Sequence, residues 1–80
     1  MKRIEKEQAV AGDYVYVDGD SGFCHGSDDR IESIETRYNE ITGVPYKVVV
    51  TKHGVYRFDN GECIKGASAY RIFSYWRKLK

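Results

Sequence analysis

Eighty residues with a formal net charge of +1 describe one small domain whose core must be efficiently filled. Seven Tyr, three Phe and one Trp supply much of the burial, and leucine occurs only at Leu79, a balance that favours strands over helices. No apolar run approaches the roughly 20 residues that span a bilayer, and the charged start Met1-Lys2-Arg3-Ile4-Glu5 is unlike a secretory signal. A cytoplasmic protein without membrane contact is the expectation.

The chain divides into a lead-in over 1–11, read as a short helix or irregular segment, and a folded unit over 12–80. Gly12-Asp13 introduces Tyr14-Val15-Tyr16-Val17, an alternating strand with Val15 and Val17 on one face. Asp18-Gly19-Asp20-Ser21-Gly22 is turn-rich. Phe23-Cys24 then begins a short strand, and Gly26-Ser27-Asp28-Asp29 is a second loop.

Residues 30–58 form the organising meander. From Ile31 to Tyr38 the side chains split by parity, with Ile34, Thr36 and Tyr38 against Ser33, Glu35 and Arg37. Asn39 to Val44 breaks the pattern, and Pro45 stands at a strand entrance, where a missing N–H is tolerated. Tyr46-Lys47-Val48-Val49-Val50-Thr51 is the most strand-prone run. Pairing Tyr38 with Tyr46 sets Thr36 against Val48 and Ile34 against Val50. A three-residue loop, Lys52-His53-Gly54 with Gly54 left-handed, then sets Val50 against Tyr56 and Val48 against Phe58. Tyr46, Val48, Val50, Tyr56, Phe58 and Ile34 would thus share one buried face.

Asp59-Asn60-Gly61 signals a tight turn of type I′, followed by a short strand from Glu62 to Lys65 closed by Gly66. Ala67 to Lys80 reads as a strand over roughly 69–75 with a basic tail; the alternative is a terminal helix with Ile72, Phe73, Trp76 and Leu79 at helical spacing. In the strand reading Tyr70, Ile72, Ser74 and Trp76 share one face, and Arg71, Phe73 and Tyr75 the other.

The opening Gly12-Asp13-Tyr14-Val15, the acidic loop and the meander resemble an SH3-like β-barrel. Ile34-Glu35-Thr36-Arg37-Tyr38-Asn39 with Thr42-Gly43 and Pro45-Tyr46 also looks like small accessory proteins of tailed bacteriophages. The resemblance implies an all-β barrel of five or six short antiparallel strands that works by binding, in the host bacterial cytoplasm. Proteins of this type commonly inhibit or modify host machinery, so a host protein or nucleoprotein is the implied partner.

Chemistry-bearing constellations are weak. Asp18, Asp20 and Asp29 match the first, third and last positions of a twelve-residue calcium loop, but Gly22 and Phe23 stand where a ligand and a glycine belong. Cys24, His25, His53 and Cys63 lack the short-range spacing of a zinc site. They amount to a composition rather than a nucleophile–base motif, and two cysteines make no disulfide framework. No catalytic group, metal or cofactor is expected.

Charge is more informative. Between Gly12 and Glu40 eight acids face two bases, and from Ile41 to Lys80 eight bases face two acids. Interleaved aromatic and basic residues near the C-terminus suit phosphates and stacked bases. Lys47, Arg57, Arg71, Tyr75, Arg77 and Lys78 are therefore candidates for contacting RNA, single-stranded DNA or a protein partner. Asp18, Asp20, Asp28 and Asp29 are candidates for an anionic surface facing a basic partner. Oligomeric state is not legible.

Overall fold

A computed structural model describes residues 1–19, 26–66 and 70–79. The strands among them are β1 (Lys2–Ile4), β2 (Tyr14–Gly19), β3 (Ser27–Tyr38), β4 (Pro45–Thr51), β5 (Val55–Arg57), β6 (Cys63–Lys65) and β7 (Tyr70–Arg77). A single 3-10 turn, Lys6–Gln8, follows β1. All seven strands join one antiparallel sheet in the order β1-β7-β2-β3-β4-β5-β6. The count exceeds the expected five or six because the lead-in supplies β1, which pairs with β7 from Lys2 opposite Arg77 to Ile4 opposite Tyr75. The C-terminal segment is a strand and not a terminal helix. Phe23-Cys24 lies outside the described residues.

The twelve-residue β3 lets one sheet enclose a core. Its first part pairs with β2, from Ser27 opposite Val17 to Arg30 opposite Tyr14. From Ile31 onward it pairs with β4, and an extra residue at Glu32 shifts the register there; such a bulge bends and twists a strand. Ile31, at the changeover, is fully buried. The sheet curls so that Val15, Val17, Ile72 and Tyr75 meet Ile31, Val49 and Tyr56 in one cluster, with Ile4 and Ala9 at its edge. β7 and the residues just before β6 approach without forming a ladder. Ile72 N–H donates to the Gly61 carbonyl at 2.9 Å, and Glu62 makes an isolated bridge with Arg71.

The β3–β4 register differs by one residue from expectation. Tyr38 faces Pro45, Thr36 faces Lys47 and Ile34 faces Val49. The connecting loop decides this: Asn39 N–H donates to the Val44 carbonyl at 3.0 Å and Gly43 N–H to the Asn39 carbonyl at 2.8 Å. The Asn39 side-chain oxygen accepts from the Ile41 and Thr42 N–H groups at 2.8 and 3.0 Å, an Asx arrangement. Gly43 closes the loop at φ +71°.

Val49 therefore enters the core with Ile34 and Phe58 beside it, while Tyr46, Val48 and Val50 belong to the opposite face by strand parity. Val48 is nonetheless fully buried. It pairs with Arg57, whose guanidinium carbon lies 5.5 Å from the Tyr46 ring centre, so an arginine stem runs beside it.

The next loop is also displaced. Val50 pairs with Val55 and Val49 with Tyr56, and Thr51 N–H donates to the Gly54 carbonyl at 2.8 Å, leaving Lys52-His53 as the loop. Gly54 is not left-handed. It is needed for close approach, since a Cβ there would lie 2.6 Å from the Lys65 carbonyl oxygen. The turn before β6 spans four residues, 58–61, with Arg57 N–H donating to the Glu62 carbonyl. Only Gly61 has positive φ, so it is not the two-residue type I′ turn.

Candidate functional site

Strand β7 does not keep simple alternation. Ser74 faces Tyr16 and Ile72 faces Val17, leaving Phe73 as an extra, exposed residue. The bulge reverses parity, so Tyr75 joins Ile72 in the core and meets Phe58 edge-to-face at 6.3 Å between ring centres. Tyr75 is not a surface ring that a base could stack upon. Burial, with the negative charge of Glu7 second, pushes its phenol up to about 12.

The basic candidates are dispersed and partly occupied. Arg77 donates through Nε and Nη2 to the buried Asp13 carboxylate at 3.3 and 3.2 Å, and through Nη2 to the Gln8 carbonyl at 2.6 Å. Burial would raise the Asp13 carboxyl, but hydrogen bonds from Arg77 and the Val10 N–H, with the Arg77 charge, hold it below its ordinary value. Arg57 pairs with Asp59 at 3.2 Å, a hydrogen bond that raises the guanidinium and lowers the carboxyl. Lys47 lies over Phe58, with Nζ 4.7 Å from the ring centre. By parity Lys47 and Arg57 leave the sheet on opposite faces. Arg71 and Lys78 are exposed on the segment at the other end of the chain. These six residues do not form one surface.

The acidic candidates separate as well. Asp28 and Asp29 are part of β3, not of a loop, and consecutive strand residues point to opposite faces. Asp28 is exposed, whereas Asp29 is buried and accepts from the His53 N–H at 3.3 Å, with His53 Nδ1 3.2 Å from its other oxygen. Asp18 is half-buried, accepts from the Gly19 N–H at 2.8 Å and stands opposite Arg71. Asp20 lies outside the described residues, as do Cys24 and His25. Among the described residues no three His, Cys, Asp or Glu side chains gather as metal ligands, and no helix is long and apolar enough to cross a membrane. The acidic and basic halves of the chain interleave, because basic β7 inserts between β1 and acidic β2.

The outstanding surface feature is one the residue pattern did not flag. Beyond the reach of β5, whose pairing with β4 begins at Val48 opposite Arg57, β3 and β4 continue as a two-stranded ribbon. Its tip is apolar: Ile41 is 96% exposed, Tyr38 66% and Val44 59%. The clue was present as isolated apolar residues in an otherwise polar loop, Ile41 between Glu40 and Thr42 and Val44 before Pro45. Exposed apolar residues scattered singly are ordinary, whereas these three fall together at the turn end of one hairpin. Comparison with family models, curated proteins and solved structures returns no match for this chain.

Proposed function

We propose that this chain is a small, non-enzymatic binding protein that docks on a host bacterial protein or nucleoprotein through the tip of the β3–β4 hairpin. The supporting observation is the tip itself: Ile41, held at 96% exposure by the Asn39-centred loop, with Tyr38 and Val44 beside it. A loop ordered by its own hydrogen bonds presents these groups with little left to immobilise on binding. Within this reading the curled sheet is an SH3-like barrel, and the chain is a regulator or inhibitor similar to the small accessory proteins of tailed bacteriophages. The buried Tyr75 and the Asp13-bound Arg77 weigh against nucleic acid as the direct target.

Affinity capture from bacterial lysate, with and without nuclease, tests the reading. The wild-type chain should retain a nuclease-insensitive protein, and Ile41→Asp should lose it while melting as the wild type does. Capture of nucleic acid alone, or capture indifferent to Ile41→Asp, refutes docking through the tip.

A further inference from the structure

The lead-in does more than add a strand. Its 3-10 turn and the residues after it line, together with Ile34, Lys47 and Phe58 of the meander, a cleft of about 470 Å³, with Ala9, Val10, Ile34 and Phe58 as apolar lining and Lys6 and Lys47 as cations. The two ammonium groups converge on one ring: Lys47 Nζ lies 4.7 Å and Lys6 Nζ 5.4 Å from the Phe58 centre. Lys6 is aimed by donating to the Asp59 carbonyl at 2.8 Å. Among the described residues neither lysine is within ion-pair distance of a carboxylate, and the carboxylate pairings present are to His53, Arg57 and Arg77. A single acid, Glu7, also lines the cleft, so cations outnumber it.

We infer that this cleft takes an acidic, apolar peptide segment of the docked protein, a proposal that rests on the docking reading above. A carboxylate seated between Lys6 and Lys47 relieves the repulsion of two like charges held over one ring, which the ring's π face offsets only in part. A neighbouring aliphatic side chain then covers Ile34 and Val10, the latter 57% exposed.

The cleft also leads to the hairpin tip. Ile34, Thr36 and Tyr38 lie on one face of β3, opposite Val49, Lys47 and Pro45 of β4. An extended segment crossing the tip can therefore run down that face into the cleft. Single-stranded nucleic acid fits less well. Base stacking needs a free ring face, and Phe58 already carries two ammonium groups and packs against Tyr75.

The test uses the full chain and a labelled peptide built of two Asp-Leu-Glu-Phe repeats. Controls are the same peptide with Asn and Gln for its acids, and a single-stranded oligothymidylate. Fluorescence anisotropy should show saturable binding of the acidic peptide alone, and amide shifts should centre on Ile34, Lys47 and Phe58. Lys6→Gln with Lys47→Gln should weaken binding about tenfold without lowering the melting temperature by more than Lys6→Gln alone does. Lys52→Gln, an exposed charge outside the cleft, should leave binding unchanged. Equal loss with Lys52→Gln, shifts centred elsewhere, or tighter binding of the oligonucleotide overturns the inference.

Lysate capture separates the two readings. Capture lost with Ile41→Asp but untouched by the paired lysine change overturns the cleft and leaves the docking tip standing. Peptide binding that persists when wild-type chain captures no protein supports the cleft and removes the docking reading.

Discussion

Ile72 and Tyr75 stand three residues apart in β7, yet both enter the core, because Phe73 is an extra residue between the pairs Ser74–Tyr16 and Ile72–Val17. An unbulged strand would send them to opposite faces. That bulge makes Tyr75 a structural residue, and its buried hydroxyl has no hydrogen-bond partner among the described residues. Tyr75→Ala should cost about 3–5 kcal/mol, whereas Tyr75→Phe should be neutral or stabilising by up to about 1 kcal/mol, since it removes an unsatisfied polar group. Phe73→Ala, on the exposed bulge, should stay within about 0.5 kcal/mol of the wild type. Urea denaturation measures all three, and a large loss in Tyr75→Phe would count against this placement.

The Asp13–Arg77 pair ties the start of β2 to the end of β7. Its contribution to acid stability has a definite sign. Arg77 and the Val10 N–H hold the folded Asp13 carboxyl below its ordinary value, so its stabilisation is present above the unfolded value and is lost as pH falls through the depressed one. Arg77→Gln leaves a buried carboxylate with weaker partners, at a cost of about 1–3 kcal/mol near neutrality. It should also move the acid unfolding midpoint to higher pH. Circular dichroism across an acid titration gives the midpoint, and the Asp13 carboxyl resonance gives the ionisation.

Alkaline unfolding should report the two core phenols. Burial, then the negative charges of Cys63 and Asp29, pushes Tyr56 up to about 12, and burial does the same to Tyr75. Raised values mean that their stabilisation is complete below the unfolded pKa of 10 and is lost as pH rises from there through about 12. Absorbance of ionised tyrosine should show a late step, from Tyr56 and Tyr75, coincident with loss of the strand signal. A single early titration of every tyrosine would contradict the burial of Tyr56 and Tyr75.

Two glycines should respond to alanine for different reasons. At Gly54 the added Cβ meets the Lys65 carbonyl oxygen at 2.6 Å, so backbone must move and the β5–β6 pairing should lose about 1–3 kcal/mol. At Gly43 nothing lies within 4 Å, but φ is +71°, so the cost is the left-handed strain of about 1–2 kcal/mol. Hydrogen exchange should locate the first defect at Val55 and Lys65 and the second at the hairpin tip. Protection that falls in the same region for both variants would defeat the distinction.

Alternation together with a composition rich in aromatic and β-branched residues was enough to recognise an all-β chain, the shared face of Val15 and Val17 in β2 and the β3–β4–β5 meander, and to favour a final strand over a helix. In each case apolar and polar residues take turns, or β-branched residues run between turn formers, and such a pattern suits a strand whatever surrounds it. Parity gave no answer where apolar residues occupy both phases. Val48-Val49-Val50 fits either register, so the hydrogen bonds of Asn39 chose between them. Ile72-Phe73 and Tyr75-Trp76 are likewise apolar in both phases, and the bulge opposite Tyr16 and Val17 selected which pair of residues faces inward. The candidate sites moved with these choices: Tyr75 became core, Arg77 became the partner of Asp13, and Asp29 became the partner of His53. Lys47 and Phe58 are neighbours within the meander, and Lys6 reaches their ring from far along the chain. Only the docking of the lead-in beside the meander brings them together, a long-range event on which local pattern is silent.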